Sequence, residues 1–98
     1  MSRGGAGPYR KGAAFEREIQ VELEEKGWLV VRQPKSQSPF DLIAIDEEHI
    51  VMLIQCKLRG KLPKKEREAL IEIAQRYDAE PMLAYKDEKG DNCLIMLP

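Results

Sequence analysis

The stretch PFDLIAIDEEHIVMLIQCKL, residues 39–58, decides the fold, because a short polar segment separates its two apolar runs. Short runs rich in Ile, Val and Leu favour strands, and a polar break between them favours a hairpin. Pairing residues whose numbers add up to 96 leaves a three-residue loop, 47–49, and sets Asp41 opposite Gln55. A slip by one residue would set Asp41 against the apolar Ile54, which the alternation of faces disfavours.

One end of this hairpin carries three polar side chains. Directly opposed residues of an antiparallel pair point to the same face, so Asp41 and Gln55 lie together. Lys57 is two residues beyond Gln55 and points to that face as well. A carboxylate, a carboxamide and an ammonium group beside apolar strands destabilise a fold unless they are paired or functional. The three residues therefore form a candidate site.

The helix predicted before the hairpin adds a second acid. Its period extends from Ala13 to Lys26, and Gly27 follows as a C′ glycine would. Glu16 lies about 60° from the centre of the apolar stripe, where a carboxylate reaches the candidate site. Two acids and an amide oxygen are hard ligands, which suit Mg²⁺ or Mn²⁺ rather than zinc. The apolar stripe consists of Phe15, Ile19 and Leu23.

The remaining sequence predicts one α/β domain, residues 9–98, after a flexible basic arm, residues 1–8. Apolar residues make up 43% of the 98 and charged residues 34%, which suits a globular domain and excludes a disordered chain. The predicted order is α-β-β-β-α-β-β, a mixed β-sheet flanked by helices. Further strands are predicted over Trp28–Arg32, Pro81–Lys86 and Asn92–Leu97, and a second helix over Pro63–Tyr77, with Leu70, Ile73, Ala74 and Tyr77 facing inward.

The net charge of −1 conceals a strong segregation of charge. Residues 1–17 hold four basic residues and one acid, net +3, and residues 57–67 hold six basic residues and one acid, net +5. Cations at a helix start are opposed by the helix dipole, so those near residue 64 favour an anionic partner such as DNA phosphate. A merely solvated surface is the alternative. The cations of the second segment that lie beyond the candidate site are Arg59, Lys61, Lys64, Lys65 and Arg67.

The same sequence disfavours several other classes of protein. The longest apolar run, Ile50–Ile54, is too short to cross a bilayer, and the N-terminus shows no apolar signal core. Cys56 and Cys93 do not have a metal-ligand spacing. We therefore expect a reduced, cytoplasmic protein with no membrane partner.

Pro39-Phe40-Asp41 followed by Gln55-Cys56-Lys57 resembles the signature of the PD-(D/E)xK nucleases, with Gln where the acid usually stands. A wider set of motifs, within residues 9–86, resembles the archaeal-type Holliday junction resolvases of that superfamily. These motifs are Tyr9-Arg10-Lys11-Gly12, Glu16-Arg17-Glu18, Gly27-Trp28 through Val30-Val31-Arg32, Ser36, and Asp41-Leu42-Ile43-Ala44.

The resemblance implies a restriction-endonuclease-like core and metal-dependent phosphodiester hydrolysis. It places Glu16, Asp41, Gln55 and Lys57 in the catalytic constellation, with the Cys56 carbonyl as a further metal ligand. It also implies a homodimer that binds four-way DNA, not a small-molecule substrate, and that nicks two opposing strands. With the arm and the basic segment included, the expected DNA contacts are Arg3, Arg10, Lys11, Arg17, Arg32, Lys35, Ser36, Arg59, Lys61, Lys64 and Lys65.

Other functions stay open at this point. A restriction-type or repair nuclease of the same superfamily would cut another form of DNA. A non-catalytic module that binds branched DNA is favoured by Gln55, because an amide in place of the acid removes one negative charge from the metal site. A protein–protein adaptor is disfavoured by the two basic segments. Val21 and Ile71 lie off the main stripes of their helices and are candidates for a dimer face.

Overall fold

The computed structural model describes residues 8–33 and 38–98 as a five-stranded mixed sheet with one helix on each face. β3 and β4 are parallel, with α2 between them in sequence, and the other neighbouring strands are antiparallel. The predicted fold class and element order are confirmed. The elements are α1 (Pro8–Glu25), β1 (Leu29–Arg32), β2 (Leu42–Ile45), β3 (Val51–Cys56), α2 (Lys64–Arg76), β4 (Glu80–Lys86) and β5 (Asn92–Met96), and the strands lie in the order β1-β2-β3-β4-β5.

The hairpin of β2 and β3 has the predicted register. Its paired residues extend from Leu42 opposite Ile54 to Ile45 opposite Val51. The turn is closed by Asp46, whose Oδ1 accepts two backbone N–H groups of the loop, at 3.0 and 2.8 Å. The hydrophobic pattern favours this register because a slip by one residue would set the polar Asp41 against the apolar Ile54.

Two apolar layers follow from this register. Even-numbered residues of β2 and β3 face α1, and odd-numbered residues face α2, because strand side chains alternate. The α1 side buries Phe15, Ile19 and Leu23 against Leu42, Ala44, Met52 and Ile54, and the α2 side buries Leu70 and Ala74 against Leu53 and Leu83. Within the described ranges, neither helix is both long and apolar enough to span a membrane.

The ends of the helices differ from the prediction. α1 begins at Pro8 rather than near Ala13, since proline suits the first turn of a helix. The predicted arm, residues 1–8, lies outside the described residues except for Pro8. α2 ends at Arg76, and Tyr77 is 68% exposed, so its predicted inward position is wrong. The helical stripe cannot continue there because Tyr77 has already left helical geometry, at φ −110°.

Candidate active site

A polar cleft of about 430 Å³ opens at the end of the sheet where β2 begins and β3 ends. The predicted catalytic residues all lie in it, and both helices contribute to its walls. α1 supplies Glu16, and α2 supplies Glu66. We call this site the acidic cleft; its lining residues are Glu16, Ser38, Pro39, Asp41, Gln55, Cys56, Lys57 and Glu66.

Asp41 lies at the end of the β2–β3 ladder. Its backbone N–H donates to the carbonyl oxygen of Ile54 at 2.7 Å, and its Oδ2 accepts the backbone N–H of Cys56 at 2.9 Å. The carboxylate thus accepts the hydrogen bond from the end of β3 that a main-chain carbonyl would otherwise accept. The predicted direct pairing of Asp41 with Gln55 is not formed, because the last pair of the ladder is Leu42–Ile54. Asp41 and Gln55 nevertheless line the same cleft.

The surroundings of Asp41 disfavour the charged form of its carboxyl group. Burial raises its pKa, and the negative charge of Glu66 raises it further. The Cys56 N–H and the Lys57 ammonium oppose this rise without cancelling it. Ionisation of Asp41 therefore costs more free energy here than in water, and a bound cation would reduce that cost.

Glu16 faces Asp41 from α1. Burial raises the pKa of Glu16, and the charge of Asp41 raises it again, while Arg32 lowers it. Arg32 Nε lies 3.7 Å from Glu16 Oε1 and is buried without a hydrogen-bond partner among the described residues. Arg32, predicted as a DNA contact, is thus held beside the acidic cleft through Glu16.

Lys57 extends from the end of β3. Its backbone N–H donates to Ala84 O at 2.9 Å, so the base of the side chain is fixed on the parallel strand pair. Its Nζ lies 2.9 Å from Oε1 of Glu66, in the first turn of α2. The ammonium group is therefore anchored on the α2 side of the cleft.

Two cleft residues were missed in the sequence, Ser38 and Glu66. Ser38 lies directly before Pro39, and its hydroxyl donates to the carbonyl oxygen of Phe40 at 2.8 Å. Its closeness to Asp41 in sequence was the available signal. The sequence does not single out Glu66, because cations dominate the start of that helix. Its spacing of four residues from the inward-facing Leu70 predicts its position on the sheet side of α2.

The donor set of the cleft suits a hard cation. Burial raises the pKa of the Cys56 thiol, so the sulfur stays protonated and is a poor ligand. The remaining donors are oxygens, from Asp41, Glu16 and the amide of Gln55. Within residues 8–33 and 38–98, no three His, Cys, Asp or Glu side chains are arranged to hold a metal by themselves. A cation here would depend on amide, main-chain or substrate oxygens as well.

The expected DNA-binding residues other than Arg32 fall into three groups. Arg59, Lys61, Lys64 and Lys65 are exposed on the segment after β3 and at the start of α2, and we call them the basic rim. In the described ranges they form no ion pair. Arg17 is exposed on α1 and does not line the acidic cleft. Of the others, Arg3, Lys35 and Ser36 lie outside the described residues, and Arg10 and Lys11 lie where only the backbone of α1 is described.

Comparisons with known proteins agree with this architecture. The family model of the archaeal Holliday junction resolvases (Hjc) matches residues 7–97. The crossover junction endodeoxyribonuclease Hjc of Methanocaldococcus jannaschii is 37% identical over 82 residues, which cover 80% of this chain and 60% of the relative. The structure of Archaeoglobus fulgidus Hjc, a Holliday junction resolvase, superposes with a TM-score of 0.74 at 28% identity, covering 88% of this chain and 72% of that one. The chain thus spans 60% of the length of its M. jannaschii relative. Since the family model extends over nearly all of its residues, the chain belongs to the archaeal Holliday junction resolvase family.

Proposed function

We propose that this protein is a metal-dependent endonuclease that resolves four-way DNA junctions by paired phosphodiester hydrolysis. The observation that carries the proposal is the acidic cleft, which gathers Glu16, Asp41, Gln55 and Lys57 at one end of the sheet. The named activities of the two relatives support the same substrate. Cleavage of DNA also implies an intracellular protein.

The residues of the cleft divide the chemistry between them. Mg²⁺, or Mn²⁺ in its place, supplies Lewis-acid activation of water and of the phosphate when bound. Asp41 is the principal ligand in this proposal, with Glu16, the Gln55 amide oxygen and the Cys56 carbonyl completing or orienting the shell. Lys57 lies where its ammonium group can stabilise the charge that grows on the phosphate.

The hydrolytic step is a substitution at phosphorus. The oxygen of water bonds to phosphorus and loses a proton, and the bond from phosphorus to one sugar oxygen breaks. That sugar oxygen takes up a proton and leaves as a hydroxyl, so the products are a phosphate monoester and an alcohol.

The basic rim supplies the surface for the DNA backbone. Its four cations lie on the segment that follows Lys57 and on the start of α2, so DNA bound there would place a phosphate near the cleft. Such contacts position the duplex arms without reading the base sequence. We infer that recognition depends on the shape of the junction and on its phosphates.

A homodimer is the expected form, because a junction presents two equivalent strands and the described residues form one cleft of this composition. α2 covers β3 and β4, and it leaves an apolar part of its own side of the sheet open over β1 and β2. Leu29 is 64% exposed and Val31 52%, and they pair with Ile45 and Ile43 on the same face. This open face suits a self-complementary contact with a second copy.

The deciding experiment is cleavage of a labelled four-way junction beside a linear duplex of matched sequence, with Mg²⁺ and with EDTA. We expect symmetric nicks on the junction alone, abolished by EDTA and by Asp41→Asn. The substitution Glu47→Gln, in the exposed turn after β2, is the control and should cut normally. Equal cleavage of the linear duplex would instead favour a restriction- or repair-type nuclease.

Gln55 favours one second candidate, a module that binds branched DNA without cutting it. Tight junction binding with no cleavage in Mg²⁺ or Mn²⁺ would support that module and refute the nuclease.

The dimer is tested by light scattering. Val31→Glu should give a monomer of about 11 kDa while the wild type has twice that mass, and an unchanged mass would place the dimer contact elsewhere.

A further inference from the structure

Lys57 and Glu66 meet because two side-chain stripes end at the same place. On β3, Leu53 faces α2, and the same face continues to Gln55 and Lys57. On α2, the buried Leu70 and Ala74 face the sheet, and Glu66 lies one turn before Leu70 on that stripe. Each stripe changes from apolar to charged at the acidic cleft. The 2.9 Å ion pair is therefore built by the packing of α2 on the sheet.

Other groups of the cleft are poorly suited to hold the lysine. Gln55 carries no charge, and Asp41, whose Oδ2 accepts the Cys56 N–H, forms no ion pair with Lys57 among the described residues. A lysine side chain has four rotatable bonds and loses position when no partner restrains it. The backbone of Glu66, by contrast, is fixed on a helix whose next turn is fully buried at Leu70, while its side chain, 48% exposed, reaches Lys57. Its position at the start of the helix also suits a carboxylate, because the helix dipole favours negative charge there.

We propose that Glu66 is a positioning residue, whose carboxylate holds the Lys57 ammonium group in the acidic cleft where it meets the phosphate to be hydrolysed. This proposal rests on the nuclease function proposed above. In this role Glu66 brings a carboxylate from α2 to the site, where β3 carries only the neutral Gln55. Glu66 in this role acts through Lys57 and does not itself touch the reacting atoms.

The same helix provides a matched control. Glu72 pairs with Arg76 at 3.5 Å, and both side chains are well exposed, away from the cleft. Glu66→Gln and Glu72→Gln therefore remove the same charge from the same helix, and each breaks one ion pair. A general effect of charge or of helix stability would appear in both variants.

The test compares the single-turnover cleavage rate at saturating enzyme with the junction Kd measured in EDTA. We expect Glu66→Gln to lower the rate constant by about 10- to 100-fold, as for a misplaced catalytic group. Its junction Kd should stay within about threefold of that of Glu72→Gln, since the basic rim is intact. Glu66→Asp, which keeps the charge on a shorter arm, should recover part of the rate. Equal rates for Glu66→Gln and Glu72→Gln, or a faster Glu66→Gln, would overturn the proposal.

A second readout needs neither metal nor DNA. The ammonium group of an ion-paired lysine gives a ¹H–¹⁵N NMR signal because pairing slows its proton exchange with water, and Lys57→Arg assigns that signal. We expect it in the wild type and in Glu72→Gln, and not in Glu66→Gln. Its persistence in Glu66→Gln would refute the anchoring. If the wild type cut no junction at all, the nuclease function would fail, while this comparison would still decide whether Glu66 holds Lys57.

Discussion

Restoring a carboxylate at position 55 perturbs the acidic cleft most directly. Gln55→Glu adds a negative charge to a site that already holds Asp41, Glu16 and Glu66. Without a cation, the added charge repels its neighbours and destabilises the fold. With a divalent cation, the same charge is a ligand. We therefore expect opposite effects on stability in EDTA and in Mg²⁺ or Mn²⁺.

The size of the repulsion follows from the sheet. Carboxylates at neighbouring positions on adjacent strands lie about 5–7 Å apart. Two unit charges at that separation repel by about 0.6–3 kcal/mol at effective dielectric constants between 80 and 20. Attraction to Lys57 offsets part of this, so a net loss of about 1 kcal/mol in the free energy of unfolding is expected in EDTA. For a domain of this size, that loss lowers Tm by about 4–8 °C.

Thermal unfolding in EDTA, Mg²⁺ and Mn²⁺ measures both effects. The metal-induced rise in Tm should be larger for Gln55→Glu than for the wild type, because a ligand that binds the folded state stabilises it in proportion to its affinity. Gln75→Glu, at an exposed position of α2, controls for the added charge. A Gln55→Glu variant that unfolds like Gln75→Glu under every condition would refute the placement of residue 55 among the carboxylates.

Three further predictions address the site, the core and the DNA surface. Because burial raises the pKa of Asp41, the folded state binds a proton more readily than the unfolded state, and stability falls as pH rises through the raised pKa. Asp41→Asn removes this penalty, so in EDTA it should be more stable than the wild type at pH 8 and equal to it at pH 3, and lower stability at pH 8 would contradict the raised pKa. In Mg²⁺ the same variant should cleave the junction at least about 100-fold more slowly. Leu70→Ala empties a fully buried position and should cost about 2–5 kcal/mol in urea unfolding, whereas a loss below 1 kcal/mol would mean that α2 packs less tightly. Lys64→Ala should reduce the slope of log K against log salt by about 0.9 for any DNA sequence, and Lys89→Ala, in the turn after β4, should leave it unchanged.

The sequence was sufficient for the fold and for most of the site because both depend on side-chain periods. The hairpin register placed Gln55 and Lys57, and the helical period placed Glu16 at the rim of the buried face. The position of Asp41 in the cleft was inferred correctly, but its direct pairing with Gln55 was not. The alternation of apolar and polar residues does not show that a side-chain carboxylate replaces a main-chain acceptor at the end of the ladder. The position of Glu66 could be predicted only from the packing of α2 on the sheet, which brings together residues that are not neighbours in one helix or one strand pair.

The hydrogen bond from the Cys56 N–H to Asp41 makes the exchange of this amide a measure of the state of the acidic cleft. A hydrogen exchanges with solvent only when its bond opens, so the exchange rate of this one amide reports the state of the Asp41 carboxylate. Anything that draws the carboxylate away from β3 should leave this amide less protected while the amides of the inner ladder exchange as before. The last peptide group of a strand thus registers the occupancy of the site without any label being added.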